Sequence, residues 1–132
     1  MSVYEARIRV RFRDLDAMGH VNHSEYFTYF AEGRNSLLFK FFKITDPSAF
    51  PMIMAHISCD YLKPIKLIQE VVVQMWVQSI GTRSFTLGYR LLDGSDTAIV
   101  YAKGESVQVC YNYEENKPVG VSGELREELE KY

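Results

Sequence analysis

One turn and the helix that follows it hold the side chains of this sequence that are best suited to chemistry. Asn22 followed three residues later by Glu25 is a variant of the capping box, which predicts a helix that begins at about His23. The first amides of a helix lack carbonyl partners and carry the positive end of the helix dipole, so this end binds anions. Gly19 allows the preceding turn to bend sharply, which would bring the carboxylate of Asp16 back toward those amides. A carboxylate beside an oxyanion-binding helix end is a hydrolytic arrangement.

The same stretch carries a resemblance to a known family. The residues from Asp14 to Asn22, followed by Tyr26, resemble the active-site segment of hot-dog-fold acyl-CoA thioesterases of the 4-hydroxybenzoyl-CoA thioesterase type. The segment Tyr61-Leu62-Lys63-Pro64, the turn from Gly81 to Phe85 and the order of one strand, a long helix and four strands extend the resemblance over about residues 3 to 112. It implies an α+β protein with the hot-dog fold, in which a curved five-stranded antiparallel sheet wraps around one long central helix. It also implies hydrolysis of an acyl-CoA to free carboxylic acid and CoA, with no cofactor.

The resemblance assigns roles to residues of the turn and the helix start. Asp16 corresponds to the family's aspartate, which acts as general base for water or as nucleophile toward the thioester carbonyl, and the sequence leaves both routes open. The backbone N–H of His23 corresponds to the oxyanion donor. His20 is a candidate to orient water or polarise the carbonyl, and Asn22 is expected to cap the helix and contact the substrate. Met18 stands where the similar plant acyl carrier protein thioesterases have an asparagine.

Other residues are candidates to bind the substrate. They are Tyr26 in the first turn of the helix, His56 and Ser58 on the polar face of the second strand, and Ser84 after the Gly81 turn. The resemblance implies a dimer in which the second strand comes near the active site of the opposite subunit. No cysteine has another Cys or His at metal-ligand spacing, and P-loop, Rossmann and Gly-x-Ser-x-Gly patterns are missing, so we predict no metal site and exclude those enzyme classes.

Hydrophobic periodicity predicts the elements that position these residues. Alternation indicates strands over residues 3–13, 53–63, 69–80, 83–93 and 96–112, with Phe12 on the buried face of the first strand and Ile53 and Ile57 on one face of the second. A helix is expected from His23 to about residue 43, a loop over 44–51, and a turn over 112–118. A bulge is expected near Gly104, where the apolar phase of the last strand shifts. Ser122 would cap a short helix over 124–131 that forms a surface appendage.

Length and composition limit the class of protein. A chain of 132 residues predicts one domain over 1–132. With 15 Lys and Arg against 17 Asp and Glu, the net charge of −2 gives no global attraction to nucleic acid or anionic lipid. No apolar run approaches the roughly 20 residues that a membrane span needs, so a cytoplasmic protein without membrane association is expected. Cys59 and Cys110 are interpreted as reduced packing residues.

Assembly and reaction class leave alternatives open. A five-stranded sheet has edge strands that need partners, and the resemblance implies pairing of two sheets, so we expect a homodimer or a homotetramer that acts on an acyl-CoA substrate. The rival functions are an acyl carrier protein thioesterase, a hot-dog dehydratase or hydratase, and a non-catalytic acyl-binding module. Such dehydratases usually place a histidine on the helix beside a carboxylate, and this helix has no histidine beyond His23.

Overall fold

The computed structural model describes residues 2–42, 51–67 and 70–132. Two helices and six strands follow one another in the order β1 Tyr4–Arg9, α1 His23–Phe42, β2 Met52–Tyr61, β3 Glu70–Ile80, β4 Ser84–Asp93, β5 Val100–Asn112, β6 Lys117–Pro118 and α2 Gly123–Leu129. Neither described helix is long and apolar enough to cross a bilayer. The loop expected over 44–51 lies outside the described residues except for Pro51.

The sheet confirms the predicted fold class. Its five main strands are arranged in the order β1-β3-β4-β5-β2, every neighbouring pair is antiparallel, and α1 packs against one face. β6 adds two residues beside β5 within the stretch expected to be only a turn. β1 and β2 are the outer strands of this sheet, so each has one edge without a strand partner in the described part of the chain. The core lies between the inner face of the sheet and the buried side of α1, which includes Tyr29, Phe30 and Leu38.

The first strand is shorter than predicted. β1 ends at Arg9, and residues Phe12–Asp14 form a 3-10 helix. The side chain of Asp14 explains the change, because its Oδ2 accepts a hydrogen bond from the Arg11 N–H at 3.0 Å and so closes the turn. Phe12 is consequently 82% exposed, so the prediction that it lies on the buried face of a strand was wrong.

The sheet bends at register shifts that do not include Gly104. They leave Ala55 in β2, Gln78 in β3 and Tyr101 in β5 without a directly opposed partner. An extra residue reverses the in-and-out alternation of a strand. Ile53 is therefore exposed, on the opposite face from Ile57, and the prediction that they share a face was wrong.

Gly104 has a packing role instead of marking a bulge. It pairs without interruption with Cys59 on one side and Tyr89 on the other. A Cβ atom at this position would lie 2.6 Å from Cε2 of the Phe30 ring and 2.6 Å from the carbonyl oxygen of Ser58. The absence of a side chain thus lets the ring of a helix residue rest directly on β5.

The ends of the last strand and the last helix also differ from the prediction. β5 begins at Val100 instead of residue 96, because the carboxylates of Asp93 and Asp96 accept backbone N–H bonds within the preceding loop. The Ser122 cap is confirmed, since its Oγ accepts a hydrogen bond from the Leu125 N–H at 3.1 Å. α2 is not a surface appendage: Leu125 and Leu129 are buried in the core.

Candidate active site

The turn before α1 is closed by the residue expected to do chemistry. Asp16 donates its N–H to the His20 carbonyl over 2.8 Å, and its own carbonyl accepts the Gly19 N–H over 3.0 Å. Gly19 has φ +78°, the left-handed conformation that the sharp bend requires. The Oδ1 atom of Asp16 accepts hydrogen bonds from the N–H groups of Met18 at 2.9 Å and His20 at 3.4 Å. The carboxylate is therefore held by its own turn, and in the described residues no donor binds Oδ2.

The start of α1 leaves one amide available. Oδ1 of Asn22 accepts the Ser24 N–H at 3.0 Å, and the Asn22 carbonyl accepts the Glu25 N–H at 2.9 Å, so Asn22 is the N-cap as predicted. The other bond of a capping box, from the Asn22 N–H to the Glu25 side chain, does not form, so that part of the prediction was wrong. The Asn22 N–H donates instead to the Asp14 carbonyl at 2.8 Å. Within the described chain the N–H of His23 has no acceptor, and it lies at the positive end of the helix dipole.

The turn and the helix start face one cleft of about 340 Å³. Its wall combines residues of the turn, of the first helical turn and of the segment that follows β2: Asp16, Met18, His20, Val21, His23, Tyr26, Tyr61, Leu62, Lys63 and Pro64. The structure thus brings together the predicted residues Asp16, His20, His23 and Tyr26, with Asn22 directly behind them as the cap. Apart from the polar groups of the turn, the lining is largely apolar and aromatic. Such a cleft suits an apolar group attached to a polar reacting centre.

The far wall of the cleft is joined to the helix by two tyrosines. The Tyr61 hydroxyl donates to the His23 carbonyl at 3.0 Å, and the Tyr61 ring stands edge-on to the Tyr26 ring with centroids 4.8 Å apart. The Tyr26 hydroxyl donates to the Lys63 carbonyl at 3.3 Å. Burial raises the pKa of Tyr26, so this hydroxyl stays protonated and remains a donor. Tyr61 was singled out in the sequence only as part of a family-like segment.

The bulge in β5 supports the rim of the cleft. The carbonyl of Tyr101, the extra residue, accepts hydrogen bonds from the Leu62 N–H at 2.8 Å and the Lys63 N–H at 3.1 Å. The Tyr101 hydroxyl in turn donates to Oδ2 of Asp93 at 2.6 Å. Sequence reasoning missed this support, because the bulge arises from pairing with β4 and leaves no local pattern.

A second aspartate of the turn is buried. Asp14 is 1% exposed, and its Oδ2 accepts hydrogen bonds from the Arg11 N–H and from the Tyr29 hydroxyl, the latter at 2.8 Å. The Arg11 guanidinium forms an ion pair with Oδ1 at 3.1 Å, and its Nε–H donates a hydrogen bond to Oδ2 at 3.5 Å. Burial by itself would raise the pKa of Asp14, but the Arg11 and Tyr29 contacts outweigh it and hold the pKa below its usual value. Asp14 is therefore a buried carboxylate ion.

The other three predicted binding residues do not reach the cleft of this chain. Opposed residues of an antiparallel ladder share a face, and Cys59 opposes Gly104, which faces α1. His56 and Ser58 alternate with Cys59 and therefore lie exposed on the opposite face of β2. Ser84, next to the buried Phe85, lies on that outer face at the start of β4. In residues 2–42, 51–67 and 70–132, no group of three or more His, Cys, Asp or Glu side chains is placed to hold a metal ion.

Comparisons with known proteins match most of the chain and the fold. A model of the thioesterase-like superfamily matches residues 10–129. The long-chain acyl-CoA thioesterase FadM of Escherichia coli is 25% identical over 131 residues, which cover 96% of each chain. A predicted thioesterase from Bacillus stearothermophilus shares the fold, with a TM-score of 0.90 at 24% identity over 98% of this chain and 96% of that one. A thioesterase from Thermus thermophilus, solved with coenzyme A and zinc, has a TM-score of 0.78 at 28% identity over 95% of both chains.

Proposed function

Because the chain belongs to the thioesterase-like superfamily, we propose that it hydrolyses an acyl-CoA thioester to a free carboxylic acid and CoA. One observation carries the proposal: Asp16 and His23 line the same cleft, and the His23 N–H has no acceptor among the described residues. Relatives support the choice of carrier, since the similar protein from Escherichia coli is named an acyl-CoA thioesterase and the one from Thermus thermophilus was solved with coenzyme A.

The His23 N–H stabilises the charge that develops during the reaction. Attack on a thioester turns the carbonyl oxygen into an oxyanion, and a preorganised N–H at a helix N-terminus lowers the energy of that charge without having to reorient. Asn22 keeps this N–H available by occupying the next two amides itself. Loss of one such donor costs roughly 10²–10³ in turnover in other hydrolases.

Asp16 supplies the nucleophile by one of two routes. As a general base it takes a proton from water while the water oxygen bonds to the carbonyl carbon; the C–S bond then breaks and the thiolate of CoA leaves. As a nucleophile its oxygen bonds to the carbonyl carbon and displaces the thiolate, and water then hydrolyses the resulting anhydride. His20 lines the same cleft, where its imidazole orients water or polarises the carbonyl.

Different residues contact the apolar and the charged parts of the substrate. The acyl group lies against Tyr26, Tyr61 and Leu62, while the phosphates of CoA lie near the exposed side chains of Lys63 and Lys66 at the rim. His56 and Ser58 can contact substrate only if a second subunit presents them, because in their own chain they face away from α1. A homodimer whose sites lie between subunits is therefore part of the proposal.

A panel of aliphatic and aromatic acyl-CoAs, assayed for release of free thiol, tests the reaction. At least one member should release thiol faster with the protein than without it. Binding of acyl-CoA without thiol release would indicate an acyl-binding module, and a change in enoyl-thioester absorbance would indicate a dehydratase or hydratase. Hydrolysis of a thioester of acyl carrier protein, but of no CoA ester, would show that the protein is a thioesterase whose substrate is carried by acyl carrier protein.

A further inference from the structure

Asp14 joins the two halves of the candidate site. Its carboxylate accepts the hydroxyl of Tyr29, which lies two turns into α1 and is fully buried. Its backbone carbonyl accepts the N–H of Asn22, the helix cap. Its own N–H donates to the Arg11 carbonyl at 2.9 Å. One residue thus contacts the segment that follows β1, the cap of α1 and the body of α1.

These contacts fix the geometry that the proposed reaction needs. Asp16 is two residues after Asp14, in a turn whose other end is held where Leu15 pairs with Val21. The His23 N–H follows Asn22 directly. The Asp14 contacts therefore hold the turn carrying the carboxylate at one place along the helix that carries the oxyanion donor.

Burial makes this connection rigid. Without the Tyr29 hydroxyl, the charged and buried carboxylate would have hydrogen bonds from Arg11 alone, and the loss of one donor to a buried charge is costly, so the pair resists separation. Tyr29 cannot swing away either, because its ring is enclosed in the core. We infer that Asp14, through its bond with Tyr29, is a positioning residue that holds Asp16 at a fixed place relative to the His23 N–H. The inference rests on the proposed function.

The test compares two buried tyrosines that are both 0% exposed. Tyr29→Phe removes the hydroxyl that binds Asp14, while Tyr89→Phe removes one that binds Arg34 and Ser106 away from the cleft. Tyr29→Phe should lower kcat by about tenfold or more with KM unchanged, because a displacement of about 1 Å can cost about 10²-fold in rate. Tyr89→Phe should change stability without a specific loss of kcat. Melting temperatures of both variants show whether the comparison is made between folded proteins.

A second readout does not depend on catalysis. Hydrogen exchange of the Asp16 and Asn22 amides, which donate to His20 and Asp14, should become roughly tenfold faster in Tyr29→Phe and stay unchanged in Tyr89→Phe. Equal kcat losses in both variants, or unchanged exchange in Tyr29→Phe, would overturn the positioning role. If the parent protein hydrolysed no thioester, the proposed function would fail while the exchange comparison still decided whether Asp14 and Tyr29 hold the turn.

Discussion

The hydroxyl of Tyr61, the last residue of β2, donates a hydrogen bond to the backbone carbonyl of His23, the first residue of α1, at 3.0 Å. This bond joins the end of an edge strand to the helix end that bears the candidate oxyanion donor. Tyr61 also lines the cleft, so one residue of the sheet contacts both the start of the helix and the space proposed for the acyl group.

Replacing Tyr61 by Phe should separate these contributions. The ring would keep its contacts with Tyr26 and His23, while the hydrogen bond to the His23 carbonyl would be lost. The free energy of unfolding should fall by about 0.5–1.5 kcal/mol, the net value of a typical hydrogen bond. Tyr61→Leu should in addition raise KM, because it removes the ring. Chemical denaturation and steady-state kinetics of both variants check this, and an unchanged KM in Tyr61→Leu would show that the ring does not contact the acyl group.

Acid should destabilise the fold through Asp14. The pKa of this carboxyl is held below its usual value in the folded chain. Its contribution to stability is therefore complete above the unfolded pKa of about 3.9 and is lost as the pH falls through the lower folded pKa. The free energy of unfolding, measured from neutral to strongly acidic pH, should decline less steeply in Asp14→Asn than in the parent. Parallel pH profiles would show that Asp14 does not contribute to this decline.

Binding of CoA should weaken as salt rises. The phosphates are proposed to lie near exposed lysines at the rim, where salt screens charge over a Debye length of about 8–10 Å. Lys63→Ala should lower the affinity for CoA and reduce its salt dependence. Lys40→Ala is the matched control, since it removes an exposed lysine from the last turn of α1, at the opposite end of the helix from the cleft. Titration calorimetry at several salt concentrations measures both, and equal effects of the two substitutions would contradict the proposed phosphate position.

The protein should associate at least into a homodimer. β2 is an outer strand of the sheet, and its residues His56 and Ser58 face away from the cleft of their own chain. A partner that pairs along an outer strand would remove an exposed edge and complete the site. Sedimentation equilibrium at micromolar concentration should show a mass of twice 15.3 kDa or more. A single species at 15.3 kDa would leave no basis for a site shared between subunits.

Local patterns predicted the parts of the molecule that depend on neighbours in sequence. The start of α1 and its Asn22 cap follow from the order of residues around the turn, and the inner faces of β4 and of β3 up to Val77 follow from alternation. The family-like segment from Asp14 to Tyr26 also identified the residues that meet in the cleft.

Contacts between distant residues decided the rest. The hydrogen bond between Asp14 and Tyr29 spans 15 positions, so no pattern within the first strand or the turn predicts it. The unpaired Ala55 depends on how β2 pairs with β5, so no pattern within β2 predicts it. The mostly charged sequence of α2 predicts an exposed helix, yet two of its leucines, one turn apart, are buried in the core.

The helix cap should affect both stability and activity. Asn22→Ala removes the acceptor of the Ser24 N–H and should cost about 1 kcal/mol of stability. It should also lower turnover, because a frayed first turn no longer presents the His23 N–H in one place. A thermal melt beside an assay at a temperature where the variant is fully folded checks both effects. Full activity in a destabilised variant would show that the cap is structural only.

The most direct measurement is the turnover of Asp16→Asn beside its melting temperature. Asparagine keeps the shape of the side chain and can still accept the Met18 N–H, but it can neither take a proton from water nor attack a carbonyl. With the best acyl-CoA of the panel, turnover should fall by at least about 10²-fold while the melting temperature and acyl-CoA binding stay close to those of the parent. Hydrolysis as fast as the parent's, or a loss of activity that merely follows unfolding, would contradict the assignment of Asp16 as the base or nucleophile.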